Sequence, residues 1–484
     1  MRRAQYHSVV AALVLATVGV LGIVGEGPVV TAQAAPPVFP VRANGAYLVD
    51  ANNTPFPILG RVCWMVTRLS PAQYRAVLDD SAAKGFTAIE VKPPLAPNGF
   101  QHDSSGNLPF LKRLDGANWA GQVIPYNNIN AEAPDFTTPN EAFWTGVDAF
   151  FAYAEQKGLL VMWFPAYVGY HNTDWWMDMM VANGATRMRN YGAWVANRYR
   201  NQRNLVWMIG GDKGTGQYPF SNAEMAAETA FVQGLKSVAT VSTLYSSEWV
   251  RGSMSKDLFA SDISLNGTYS SATDIINQGS RAWAFSPRTP AYAQEYPFED
   301  APNTGNVRPL TMYAWLSTIG GYLFGNGVFT SFEPSPDYRD YMNTPGTINA
   351  KHLNAFVRSI SWHTLVPEIT AVTANRGSTG AGNYVATAGN ADRSLFLAYV
   401  PPSHPGNFTI NMSVMGGTTT ARWWDPNNGT YSSPTSDIPN SGNRQFTRPG
   451  NNSAGSGDWL LVLSTSAGTG TTPPAAPTNL SIIR

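Results

Sequence analysis

The stretch NLVWMIGGDKG, Asn204 to Gly214, decides how the chain is read. Leu205 to Ile209 form an apolar run of strand length, with no alternation of apolar and polar residues. A strand of that kind is buried on both faces, as in a parallel sheet covered by helices. Two glycines then release the backbone, and Asp212 follows. A surface turn would explain such an ending. So would an active site at the end of a buried strand.

Outward from this stretch, the pattern repeats. Upstream, "LLVMWFPAY" is a second buried-type strand, and Thr138-Pro139-Asn140-Glu141 reads as a capping box opening the helix before it. Phe143, Val147, Phe150, Phe151 and Ala154 form that helix's apolar stripe, and Gly158 ends it. Earlier, Ser70-Pro71-Ala72-Gln73 starts a helix that Gly85 closes, and "FTAIEVKPP" follows as a strand. A helix is expected over about 174–201 before the opening strand, and Ser221-Asn222-Ala223-Glu224 caps another after it. "TVSTLYSS", "LFASDISLNG", "TPAYAQEY" and "YLFGNGVF" supply the later strands. About eight strands alternating with seven or eight helices fit a (β/α)8 TIM barrel, an α/β fold. A doubly wound open sheet is the structural alternative, but "GRVCWMV" after the first strand is not a glycine-rich phosphate loop.

The texture changes near Val366-Pro367. From there the chain is rich in Gly, Thr, Ser and Asn, with short alternating strands, which indicates a smaller all-β sandwich domain. The expected organisation is a signal peptide over 1–34, a catalytic barrel over 40–365, a β-sandwich over 366–466 and a Pro/Thr/Gly-rich linker tail over 467–484. Arg2 and Arg3, an apolar stretch from Val9 to about Val24 and the Ala32-Gln33-Ala34 pattern read as export, with a membrane anchor as the alternative. A secreted, extracellular monomer without stable membrane insertion is expected. The chain has 484 residues, 43% of them hydrophobic, enough for a large core. Its formal net charge of zero gives no basic field for nucleic acid. The single cysteine, Cys63, excludes an intrachain disulfide and reads as a packing residue.

In a barrel of this kind the reacting groups lie at the C-terminal ends of the strands. The six histidines lack metal-ligand spacing, and no serine-hydrolase elbow or nucleotide loop is present. No cofactor and no metal are therefore expected. Carboxylates and aromatics remain, as in a cleft that cleaves glycosidic bonds with one acid and one nucleophile or base. Asp212 after the fourth strand and Glu295 after the seventh are the candidate catalytic pair. A turn or capping role for Asp212 and an ion-paired surface role for Glu295 are the structural alternatives. Trp64, Glu90, Lys92, Tyr167, His171, Trp175, Trp176, Asn266, Tyr296 and Glu299 are the candidate contacts to a carbohydrate substrate, because aromatic faces stack on sugar C–H faces while polar tips bond hydroxyls.

"NGAYLVDANNTPFPILGRVCW", "AAKGFTAIEVKPP", "AEQKGLLVMWFP", "VANRYRNQRNLVWMIGGD" and "QEYPFE" resemble successive motifs of the apiosidase-like glycoside hydrolase family over about residues 40–365. The β segment with "ARWWDPNNGTY" resembles the domain, named for collagen binding, that often follows it. The resemblance implies a barrel that acts with retention, Asp212 as acid/base and Glu295 as nucleophile. Apiose-containing pectin is the substrate class that goes with it. Two motifs depart from the family: Gly60-Arg61-Val62 replaces a Gly-Asp-Thr, and "LYSSEW" replaces a His-Pro after the fifth strand. A cation at Arg61 would then stand where an acidic substrate contact is expected. That change motivates a second reading, a non-catalytic carbohydrate- or matrix-binding protein on a degenerate barrel.

Overall fold

The computed structural model describes residues 36–92, 102–121, 127–171, 176–300, 307–327 and 338–465. The segments read as signal peptide and as linker tail, together with Trp175, lie outside the described residues. A small antiparallel sheet opens the fold: β1 (Arg42–Asn44), β2 (Tyr47–Val49) and β3 (Pro55–Phe56). Asn53 at its turn takes a positive φ of 64°, which asparagine tolerates better than most residues. Phe39, Val41, Leu48 and Phe56 of this region pack into the same buried cluster as the barrel interior.

The barrel is one eight-stranded parallel sheet: β4 (Ile58–Val62), β5 (Ala88–Val91), β6 (Leu160–Trp163), β7 (Leu205–Gly210), β8 (Tyr245–Glu248), β9 (Asn266–Tyr269), β10 (Ala291–Glu295) and β11 (Gly321–Phe324). Parallel ladders run from β8 back through β4 and on through β11 to β9. Between β8 and β9 no ladder forms, and the ring is closed by the Leu265 and Ser264 N–H groups donating to the Tyr245 carbonyl at 3.0 and 2.9 Å. This is also the crossover that carries a 3-10 turn, Ser255–Asp257, where the other crossovers carry an α-helix.

Side chains alternate as strand geometry requires. On β7, Val206 and Met208 enter the barrel cluster, while Leu205, Trp207 and Ile209 pack outward against the helices. Ser70 and Ser221 form the expected capping boxes. The third one is corrected: the N-cap is Asn140, two residues later, and the Thr138 hydroxyl instead donates to the Asp135 carbonyl. Pro139 is taken up in a β-bridge with Phe110, so the helix, Glu141–Gln156, cannot begin there. The long helix runs Trp176–Arg198 and breaks at Gly184, whose φ of 70° is not helical. The sixth strand begins at Asn266, later than "LFASDISLNG" suggested.

The C-terminal region is all β. A six-stranded sheet holds β12 (Leu365–Pro367), β14 (Ala386–Asn390), β15 (Leu395–Val400), β20 (Trp459–Thr465), β17 (Thr419–Trp424) and β18 (Thr435–Ile438). A three-stranded sheet holds β13 (Val372–Ala374), β16 (Asn407–Asn411) and β19 (Asn443–Thr447). Phe396, Ala398, Phe408, Ile410, Leu461 and Leu463 fill the space between them. The other face of the larger sheet shares a buried cluster with the barrel's last helices, where Trp424 lies 4.7 Å from Phe356, ring centre to ring centre. Arg308, on the helix Arg308–Thr318, donates to Asp458 from Nε at 2.7 Å across this contact.

Candidate active site

The inward-facing positions change from apolar to ionisable toward the C-terminal ends of the strands. On β5 the inner residue Ala88 is followed by Glu90 and then Lys92. On β8 Leu244 is followed by Ser246 and Glu248. On β10 Tyr292 is followed by Gln294. All of these polar groups are buried. Period-two alternation would turn Glu295 outward, but β10 carries an irregularity: Ala293 pairs with Thr268 and Glu295 pairs with Tyr269, leaving Gln294 as the extra residue. A bulge re-aims the residue that follows it. Both Gln294 and Glu295 therefore join the cluster: Gln294 Nε2 donates to Glu248 Oε2 at 3.0 Å, and Glu295 feels the charges of Glu248, Asp212, Lys92 and Glu90.

Asp212 arrives by a different device. Gly210 has a φ of 83°, and a Cβ there would stand 2.2 Å from the Glu248 carbonyl oxygen; one on Gly211 would stand 2.8 Å from Tyr167 and Val168. Only glycine fits both places. The Gly210 N–H donates to Glu228 Oε1 at 3.1 Å, a carboxyl that burial pushes up to about 7. The chain thus bends over the rim and sets Asp212 against Tyr167, whose hydroxyl donates to Asp212 Oδ2 at 2.5 Å. Asp212 Oδ1 is buried with no partner among the described residues.

Lys92 is the cation of the cluster. Its ammonium lies 3.1 Å from Glu248 Oε1, 3.6 Å above the Trp64 ring and 4.1 Å from the centre of the Tyr167 ring. Trp64 Nε1 donates to Glu90 Oε1 at 3.3 Å, and the indole meets Phe298 edge-on. Four carboxyls thus share one lysine, and burial with like-charge repulsion favours the protonated forms of the three glutamates. Burial and the charge of Glu248 push Glu90 up to about 8, and burial pushes Glu248 up to about 7 despite Lys92. Burial, Glu248 and Asp212 hold Glu295 well above the usual carboxylate range. Lys92 is raised, its carboxylate neighbours outweighing the cost of burial. Such a cluster holds protons near neutral pH, as acid–base chemistry on a glycosidic oxygen requires.

Of the residues singled out from sequence, Asp212, Glu295, Glu90, Lys92, Tyr167 and Trp64 come together here. Glu248 and Gln294 belong with them and escaped notice. Glu248 had a visible signal, since Leu244, Ser246 and Glu248 keep one strand period within "LYSSEW". Other candidates lie elsewhere. Asn266 opens its strand and faces the helices, donating to the Ala282 carbonyl at 3.3 Å. Tyr296 is buried under the helix Arg308–Thr318, its hydroxyl 3.2 Å from Thr311 Oγ1. Glu299 accepts from the Gly346 N–H at 2.6 Å and from Thr344 Oγ1 at 2.5 Å, anchoring the start of the helix Pro345–Arg358 as anions do at helix N-termini. Trp176 is buried beside Phe136 in the outer aromatic core. His171 stacks between Tyr170 and Tyr218 at the rim.

Arg61 corrects the expectation of a cation in the cleft. It alternates outward from β4 and bonds Asp80 Oδ2 at 2.7 Å under the helix Pro71–Ala83. The feature that motivated a degenerate, non-catalytic barrel is therefore not at the mouth. Cys63 is buried, which pushes its thiol up to about 12 and leaves it without thiolate character at neutral pH.

Comparison with known proteins agrees with this fold. The family model of the apiosidase-like catalytic domain matches residues 42–364, and a model described as "Putative collagen-binding domain of a collagenase" matches residues 366–464. No curated protein matches the chain. Among solved structures, one described as a glycoside hydrolase is 17% identical with a TM-score of 0.67, covering 89% of this chain and 97% of its own. A glycoside hydrolase family 5 structure from Bacteroides vulgatus is 16% identical with a TM-score of 0.68, covering 87% and 92%. At such identities the likeness is one of fold.

Proposed function

From the premise that the chain belongs to the apiosidase-like family through residues 42–364, we propose that it is a secreted glycoside hydrolase that cleaves O-glycosidic bonds of an oligo- or polysaccharide by double displacement. The observation that supports this reading most is the convergence of Asp212 and Glu295, from the ends of the fourth and seventh barrel strands, in one buried cluster, the first bent over the rim by Gly210-Gly211 and the second turned inward by the bulge at Gln294. Glu295 attacks the anomeric carbon and forms a glycosyl ester. Asp212 gives its proton to the departing oxygen, then takes one from the water that hydrolyses the ester. Two carboxyls in these roles need one proton between them.

In the free protein Tyr167 donates to Asp212, while Glu295 is held toward its protonated form. Double displacement requires Glu295 to be ionised and a proton to sit on Asp212 when substrate is bound. The unpartnered Asp212 Oδ1 is the atom open to that proton. The anomeric configuration of the first-formed product, followed by NMR on a substrate found by screening aryl glycosides and plant and microbial polysaccharides, tests the mechanism. Retention is expected. Inversion would reassign Glu295 as the acid and Asp212 as the base for water.

A further inference from the structure

At the rim beside Asp212 three rings form a continuous stack. Tyr170 and His171 lie 3.8 Å apart, ring centre to ring centre, and His171 and Tyr218 lie 3.9 Å apart with their planes 14° from parallel. Tyr170 is 44% exposed, one of the few large hydrophobic side chains exposed among the described residues. The stack is held by the backbone that carries the carboxylate. Tyr170 and Asp212 form a parallel β-bridge, and the His171 N–H donates to the Asp212 carbonyl at 3.2 Å. Tyr218 is held by the loop that follows, where the Gly214 N–H donates to its carbonyl at 2.8 Å. His171 sits in the left-handed region, φ 57°, uncommon for residues with a β-carbon although histidine is among those found there more often. Because Asp212 turns into the cluster at the mouth, the backbone that joins it to Tyr170 and His171 sets the stack beside the cleft.

We infer that Tyr170, His171 and Tyr218 form the subsite for the sugar on the leaving-group side of the scissile bond. The inference rests on the reading of Asp212 as the group that protonates the departing oxygen. An acid placed there must face the leaving group, so the surface joined to its backbone lies under the sugar that departs. A flat ring offers its face to the axial C–H groups of a pyranose or furanose, and the tyrosine hydroxyls reach the ring's own hydroxyls. The substrate is accordingly a glycan with a sugar on the leaving side, and Tyr170 contributes to its affinity.

The test uses the full chain, with Tyr170→Ala, Tyr170→Phe and Glu295→Gln, on native gels cast with soluble pectin, galactomannan or arabinoxylan. Circular dichroism checks that each variant is folded. At least one gel should retard the wild-type chain. Tyr170→Ala should weaken that binding about tenfold, the range for loss of one aromatic stacking contact, while Tyr170→Phe, which keeps the ring, should bind as the wild type does. Equal retardation of Tyr170→Ala and wild type overturns the inference, and so does the absence of retardation in all three gels. Sugar release is measured on the same polysaccharides. Ring-dependent binding without release by the wild type, where Glu295→Gln is indistinguishable from it, leaves the rings as a sugar subsite and overturns the catalytic reading.

Discussion

Two of the places where this molecule buries charge do so on opposite terms. At the contact between barrel and β domain, one aspartate meets one arginine. Asp458 accepts from Arg308 Nε at 2.7 Å, from Tyr399 at 3.1 Å and from Asn452 Nδ2 at 3.0 Å, and Arg308 holds its carboxyl below the ordinary aspartate range despite burial. At the barrel mouth, Glu90, Asp212, Glu248 and Glu295 share Lys92, and burial drives the three glutamates upward. The first arrangement satisfies every requirement of a buried ion pair. The second violates them, and a fold tolerates such a violation where the groups do chemistry.

Mutations should separate the two. Glu295→Gln and Asp212→Asn are each expected to lower kcat by about 10³-fold or more, because the proposed nucleophile or proton donor is removed. Their melting temperatures should stay level or rise, since each substitution leaves one acidic group fewer in a crowded cluster. A marked fall in stability would mean that the mouth is built like the domain contact. Arg308→Ala should do the reverse, costing about 3–5 kcal/mol of stability by leaving Asp458 buried without its cation. Denaturant unfolding measures this, and the double variant Arg308→Met, Asp458→Asn should recover a large part of the loss.

The third expectation concerns pH. Glu90 stands at about 8 in the folded chain against an ordinary 4.5. The folded state therefore binds a proton that the unfolded chain releases between these values, and stability falls as pH rises across that window. Glu90→Gln should flatten the decline in melting temperature between about pH 5 and about pH 8.5; an unchanged slope would place the titrating group elsewhere. The smallest effect is expected from Glu248→Gln. Removing the like charge that Glu295 feels most strongly lets Glu295 ionise at lower pH. The acidic limb of the kcat/KM profile should move down by about one pH unit, and a shift in the other direction would break the assignment.

Much of the barrel was legible because its signals are local. Capping residues, apolar stripes and closing glycines mark helices, and runs such as Leu205 to Ile209 mark buried strands. Boundaries were less so. Nothing in "LFASDISLNG" shows that the strand starts at Asn266, because the missing helix between the fifth and sixth strands is a matter of how the ring closes. That displacement turned Asn266 toward the helices. Glu299 looked like Glu295 in the sequence, since both are carboxylates near one strand end. Only the position of the helix Pro345–Arg358 shows that Glu299 is consumed by its N-terminus.

The sequence by itself determined the (β/α)8 order, the β-rich region that follows, and the placing of Asp212 and Glu295 at strand ends, because hydrophobic periodicity and turn chemistry act over a few residues. The tertiary structure decided which polar groups meet. Glu248 and Lys92 are 156 positions apart in the chain and 3.1 Å apart in space. A bulge at Gln294 turns Glu295 inward, and ordinary alternation turns Arg61 out. The balance of four carboxyls against one lysine exists only once the ring closes, since charge interacts through distance and dielectric and not through sequence separation.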